Sequence, residues 1–257
     1  MHLTWRKIVA CSCFLPAILM AGCSDNDASG PPENGAPVET SAPATETPDA
    51  SAPAASRESR PRIVALGDSL TAGLGLDPDE SFPALLQERI DQEGLDFQVV
   101  NAGVSGDTSA GGLRRLALAL EGDVRVLIVA LGGNDGLRGL PPADLRANLA
   151  AMIERAQSRQ IAVVLAGMEA PPNLGAEYTR AFREVYSSLA KEYGVVLLPF
   201  LLADVAGMSD LNQSDGIHPN VEGTRIVANH VWDAVSPLLQ DGHGMASPRP
   251  AGTSTAS

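Results

Sequence analysis

The chain has 257 residues and a formal net charge of −13, with 18 basic against 31 acidic side chains. That balance disfavours nucleic acid as a partner and gives no electrostatic attraction to an anionic lipid surface. All three cysteines fall at positions 11, 13 and 23, so the bulk of the chain cannot carry a disulfide framework.

At the N-terminus, Arg6 and Lys7 precede a mostly apolar stretch, Ile8 to Ala21, which is short for a membrane-spanning helix. Residues 1–22 therefore read as an export signal. The segment ends in Leu19-Met20-Ala21-Gly22-Cys23, which is similar to a bacterial lipobox. That resemblance implies lipidation of Cys23 and a mature chain that begins there; the alternative is an ordinary signal cut near Ala21 or Gly22, with Cys23 incidental. Cys11 and Cys13 leave with the signal in either case, and loss of Arg6 and Lys7 moves the net charge from −13 to −15. By resemblance to lipoprotein sorting, Ser24 favours the periplasmic face of the outer membrane in a Gram-negative envelope, while Asp25 leaves the inner membrane open.

From Ser24 to Arg60 the chain is rich in Pro, Ala, Ser, Thr and acidic residues, and Val38 is its only large aliphatic side chain. Such a segment cannot bury a core. Residues 23–60 are expected to be a disordered tether with an r.m.s. reach of about 35 Å. The Gly-, Pro- and Ser-rich tail, 241–257, is expected to be disordered as well. Residues 61–240 between them suffice for one domain with a single core. They contain no basic amphipathic helix, so membrane contact is assigned to the anchor at Cys23.

The first apolar run, Ile63–Leu66, reads as a strand that leads into Gly67-Asp68-Ser69-Leu70. A serine there can act as a nucleophile if an imidazole takes its proton, although a lone Gly-Asp-Ser reads equally as a helix N-cap. Asp68 is expected to hold the strand-to-helix turn. Phe82, Leu85, Leu86 and Ile90 mark a helix face. The strand Phe97–Asn101 then leads into Ala102-Gly103-Val104-Ser105-Gly106-Asp107-Thr108, and Val124–Leu131 leads into Gly132-Gly133-Asn134-Asp135. Leu145, Leu149, Met152, Ile153 and Ala156 mark a second helix face, followed by the strand Ile161–Ala166. A third face, Tyr178, Phe182, Val185, Tyr186 and Leu189, precedes Gly194 and the strand Val195–Pro199. Asp215 and His218 come next, ahead of a last helix marked by Val227, Val231, Trp232 and Val235. Alternation of this kind, with strands apolar throughout, predicts an α/β fold: a three-layer α/β/α sandwich around a five-stranded parallel sheet, with its site at the strands' C-terminal ends.

Acyl transfer needs a nucleophile, a base with an orienting acid, and donors aimed at the developing oxyanion. Ser69, His218 and Asp215 supply the first three. The backbone N–H groups of Ser69 and Gly106 and the side-chain amide of Asn134 supply the donors. His218 is the only serious base among His2, His218, His230 and His243, because only it has an acidic residue placed like Asp215. The surroundings of Ser69 lack the G-x-S-x-G elbow of α/β-hydrolases. The Gly-rich turns lack the endings of phosphate-binding loops, and two candidate ligands are too few for a metal site.

Four blocks in one order, Ser69, Gly106, Asn134 and His218, resemble the SGNH (GDSL-type) hydrolases, over about Arg62 to Leu239. Ser105-Gly106-Asp107-Thr108-Ser109, Gly132-Gly133-Asn134-Asp135-Gly136-Leu137-Arg138-Gly139 and Asp215-Gly216-Ile217-His218-Pro219-Asn220 are most similar to the bacterial thioesterase, lysophospholipase and arylesterase subgroup. The resemblance implies a flavodoxin-like sheet and a serine esterase that works as a monomer without cofactor or metal on small acyl esters or lysophospholipids. It also implies that the loop after the fourth strand, Gly167 to Gly175, covers the acyl chain. That loop keeps Pro172-Asn173 but has Glu169 where relatives often carry a basic residue and Leu174 where they often carry tyrosine, so chain length and head group stay open. Two alternatives stand beside the esterase: a carbohydrate O-deacetylase, and a noncatalytic envelope-binding lipoprotein.

Overall fold

The structure is a computed structural model that describes residues 60–240. The expected signal (1–22), Cys23, the tether up to residue 59, His2, His243 and the tail (241–257) lie outside the described residues. Arg60, expected as the last tether residue, pairs with Asp91 at 3.3 Å on the folded unit.

Among the described residues five strands form one parallel sheet: β1 (Arg62–Gly67), β2 (Gln98–Gly103), β3 (Val124–Ala130), β4 (Ala162–Ala166) and β5 (Val196–Leu198). Their order is β2-β1-β3-β4-β5, and each strand coincides with one of the expected apolar runs. The order reverses between β1 and β3, where open α/β sheets form ligand crevices. Ile63 to Leu66 and Leu127 to Ala130 are fully buried, as strands covered on both faces must be. β2 sits at the edge and is only partly buried. β5 is shorter than its apolar run because only Val196, Leu197 and Leu198 pair with β4.

Among the described residues seven α-helices flank the sheet: α1 (Ser69–Ala72), α2 (Phe82–Gln92), α3 (Ser109–Ala119), α4 (Gly133–Leu137), α5 (Pro142–Gln157), α6 (Ala176–Tyr193) and α7 (Val221–Gln240). α2 packs on α7, while α5 packs between α3 and α6, giving the two outer layers. The buried faces are the expected ones: Phe82, Leu86 and Ile90 on α2, Leu145, Leu149, Met152 and Ile153 on α5, and Phe182, Tyr186 and Leu189 on α6. Each such large apolar side chain contributes roughly 1.5–3 kcal/mol by leaving water. Trp232 of α7 departs from the pattern, lying partly exposed under the Arg89 guanidinium, 5.4 Å from its ring. α6 stops at Gly194, whose positive φ of 64° turns the chain into β5.

Candidate active site

Ser69 is the first residue of α1, directly beyond β1, so a fully buried strand aims it at the sheet's C-terminal edge. Asp68 caps this short helix by accepting the Leu70 N–H at 3.1 Å, the turn-holding contact that its position in the sequence suggested. Asp215 and His218 lie on the loop before α7. His218 Nε2 stands 2.8 Å from Ser69 Oγ, and His218 Nδ1 stands 2.6 Å from Asp215 Oδ2. An ionised Asp215 makes Nδ1 the donor, which leaves Nε2 as the acceptor for the serine hydroxyl. Asp215 Oδ1 also accepts the backbone N–H groups of Ile217 and His218 at 2.9 and 3.0 Å. These backbone bonds, His218 before Ile217, followed by the bond from the imidazole, lower the Asp215 carboxyl to about 2. It is therefore ionised throughout the neutral range.

Three loops carry the expected oxyanion donors. Among the described residues, neither the Ser69 N–H nor the Gly106 N–H has a hydrogen-bond acceptor. Gly106 holds φ at 83°, a conformation that disfavours any side chain. Arg138 Nη2 donates to its carbonyl at 2.9 Å. Asn134 Nδ2 spends one hydrogen on Asp68 Oδ2 at 3.2 Å and keeps the other free.

Residues outside the expected set join these loops in pairs. Arg115 of α3 donates to Gly67 O, Ala102 O and Asp107 Oδ2 at 2.6–2.7 Å, tying the ends of β1 and β2. The buried Asp135 carboxylate accepts Ser109 N–H at 2.8 Å and Ser109 Oγ–H at 2.6 Å, tying α3 to α4 beside Asn134. Gln213 Nε2 bonds Leu74 O and Pro219 O, and its N–H bonds His218 O, so the histidine loop is pinned to the end of α1. Position in the chain gave no sign of the ties from Arg115 to Gly67, Ser109 to Asp135 and Gln213 to Leu74, whose partners are 48, 26 and 139 residues apart.

A cavity of about 430 Å³ opens beside Ser69, Asn134 and His218, and Leu137, Met168, Phe200, Leu202 and Ile217 are among its apolar walls. Of the loop candidates, Glu169 and Pro172 line it, whereas Asn173 and Leu174 do not. The Glu169 carboxylate is paired with Arg183 at 3.0 Å. The loop after β5 supplies Phe200, Leu202 and Ala206, a wall that the chain pattern did not single out although it too follows a strand end. His230, which has no acidic residue placed like Asp215 in the sequence, lies 3.5 Å from the exposed Asp204 Oδ2. That neighbour comes from the β5–α7 connection, and only a tertiary contact places it there. Among the described residues no cluster of three or more His, Cys, Asp or Glu could hold a metal ion, and no helix is long and apolar enough to cross a membrane.

Comparison with known proteins agrees with this architecture. Esterase TesA of Pseudomonas aeruginosa is 46% identical over 178 residues, covering 69% of this chain and 89% of the relative. Thioesterase 1/protease 1/lysophospholipase L1 of Escherichia coli K12 is 38% identical, covering 69% of this chain and 84% of that protein. The crystal structure of TesA superposes with a TM-score of 0.67 at 45% identity, over 69% of this chain and 99% of that one. The sequence pattern of the GDSL-like Lipase/Acylhydrolase family matches residues 65–226. With that match and these relatives, the chain belongs to the GDSL-like lipase/acylhydrolase family.

Proposed function

We propose that this chain is a serine esterase that hydrolyses carboxylic esters of acyl substrates through an acyl-serine intermediate. The observation that carries this reading is the hydrogen-bonded line from Asp215 through His218 to Ser69, set on the wall of an apolar cavity. His218 Nε2 takes the hydroxyl proton as Ser69 Oγ bonds to the ester carbonyl, then passes it to the leaving alcohol as the C–O bond breaks. A water molecule, deprotonated by the same nitrogen, attacks the acyl-serine and releases the acid. The Ser69 N–H, the Gly106 N–H and the free Asn134 N–H hold the oxyanion in both halves. Thioesters fit the same steps.

The apolar walls favour an acyl chain over a glycan, which ranks aryl esters and lysophospholipids ahead of O-acetylated polysaccharide. In this reading the enzyme works as a monomer, exported and anchored through a lipidated Cys23, at the periplasmic face of the outer membrane. The lipobox-like Leu19 to Cys23 and the following Ser24 support that placement.

The test is an activity series on p-nitrophenyl esters from acetyl to palmitoyl, lysophosphatidylcholine and acyl-CoA. Ser69→Ala and His218→Ala each lower kcat by about 10³-fold or more on every substrate the parent cleaves. Parental rates in either variant would remove the residue from the mechanism. Mass spectrometry of the mature N-terminus is expected to find a diacylated or triacylated Cys23; an unmodified terminus at another residue would dismiss the anchor.

A further inference from the structure

The large apolar side chains that remain exposed are not scattered over the described surface. They are Leu74, Val104, Leu137, Leu174, Met208 and Ile217, each 36–54% exposed, with Leu118 as the one exception. Leu74 follows β1, Val104 follows β2, Leu137 follows β3, Leu174 follows β4, and Met208 and Ile217 follow β5. Every strand thus contributes at least one exposed apolar side chain to the edge where Ser69 opens. Leu118 lies near the far end of α3, which starts at that edge and runs away from it. Scattered exposed hydrophobes are ordinary, but here Leu137 and Ile217 line the cavity and the other four lie on the loops of the same sheet edge, a grouping that marks an interaction surface.

Bound water gains nothing by contact with such a collar, and burying it releases free energy in proportion to its area. The charges around it choose the occupant. Acidic Asp77, Asp79, Asp204 and Asp210 lie in the same loops, against Arg183, which is paired with Glu169, and the exposed Arg138, whose bond to the neutral Gly106 carbonyl leaves its charge in place. A chain at −13 with no free basic cluster at this edge is repelled by an anionic membrane and suited to a neutral or zwitterionic one. We infer that the collar docks the active-site edge onto a zwitterionic phospholipid surface, so that an acyl chain passes from lipid to cavity without crossing water. Leu137 and Ile217 also wall the Ser69 cavity, so docking is read out at Leu74 and Met208, which do not line it.

The test uses the full chain with Cys11, Cys13 and Cys23 replaced by alanine, so that lipidation cannot contribute. Single cysteines from Leu74→Cys, Met208→Cys or Leu118→Cys carry an environment-sensitive fluorophore. With phosphatidylcholine vesicles, the labels at positions 74 and 208 are expected to brighten and to be quenched by brominated acyl chains, while the label at 118 stays unchanged. In the same background a Leu74→Ser/Met208→Ser double substitution lowers turnover of vesicle-borne lysophosphatidylcholine about tenfold, because two half-exposed side chains no longer leave water. Its turnover of monomeric p-nitrophenyl acetate stays at the parental rate, which separates loss of docking from loss of chemistry. An equal response at all three positions, or a response only to phosphatidylglycerol vesicles, would overturn the inference. So would brightening that depends on protein concentration without lipid, which would assign the collar to a second copy of the chain.

Discussion

Asp68 sits 2% exposed beneath Ser69, with one oxygen on the Leu70 N–H and the other on the Asn134 amide. Burial raises its carboxyl from 3.8 to about 6, against the opposing pull of those two donors. Because the folded value lies above the unfolded one, this group favours the folded state fully below about pH 4, and the benefit is lost as pH rises through about 6. A shift of that size corresponds to about 3 kcal/mol in total, of which about 2 kcal/mol falls between pH 4 and pH 8. Asp68→Asn cannot ionise. Its unfolding free energy relative to the parent therefore rises by about 2 kcal/mol between pH 4 and pH 8, as measured by urea unfolding at the two pH values. A difference independent of pH would mean that the carboxyl is not strained by burial. The same substitution leaves one oxygen where two donors are served, so Asn134 loses its hold and kcat falls about tenfold or more.

Elements differ in how openly the sequence declares them. The five strands were legible because a parallel sheet covered on both faces demands unbroken apolar runs, and Ile63–Leu66 and Val124–Leu131 supply them. Ser69, Gly106 and Asn134 were legible because each belongs to a short block beyond an apolar run, and His218 because Asp215 stands three positions before it. α3 was not, since Gly111 and Gly112 argue against a helix. The structure gives the reason: a Cβ at those positions would stand 2.3 Å from Asp107 Oδ1 and 2.2 Å from Leu131 Cδ1. Close approach of α3 is also what brings Ser109 onto Asp135, a pair 26 residues apart that no local pattern announces. Ser109→Ala leaves a buried Asp135 oxygen and the Asn148 amide without their partner, at a cost of about 2–3 kcal/mol in stability. Because Asp135 adjoins Asn134, kcat on a short ester is expected to drop as well, with KM nearly unchanged. Chemical unfolding and steady-state kinetics on one preparation check both, and a loss of stability at full kcat would separate the tie from the oxyanion loop.

At the scale of the whole molecule, charge and apolar surface act on different classes of substrate. The collar and cavity reward an acyl chain whatever its head group, whereas a net charge of −13 repels any anion approaching the sheet edge. Glu169, on the cavity wall, is paired with Arg183, so neutralising it would leave that cation's charge unopposed beside the cavity. An acyl-CoA thioester, with its phosphates, must cross the repulsion to reach Ser69, and a neutral aryl ester does not. Screening sets how far the repulsion reaches: the Debye length is about 30 Å at 0.01 M salt and about 8 Å at 0.15 M. For acyl-CoA, kcat/KM is therefore expected to rise several-fold between those salt concentrations, while that for a p-nitrophenyl ester of the same chain length stays constant. Glu169→Gln should raise the low-salt value for acyl-CoA and flatten its salt dependence, leaving the neutral ester unaffected. Stopped-flow or initial-rate measurements across the salt series decide the matter. A kcat/KM for acyl-CoA that falls with salt would show that attraction by the arginines near the mouth outweighs the acidic surface around them.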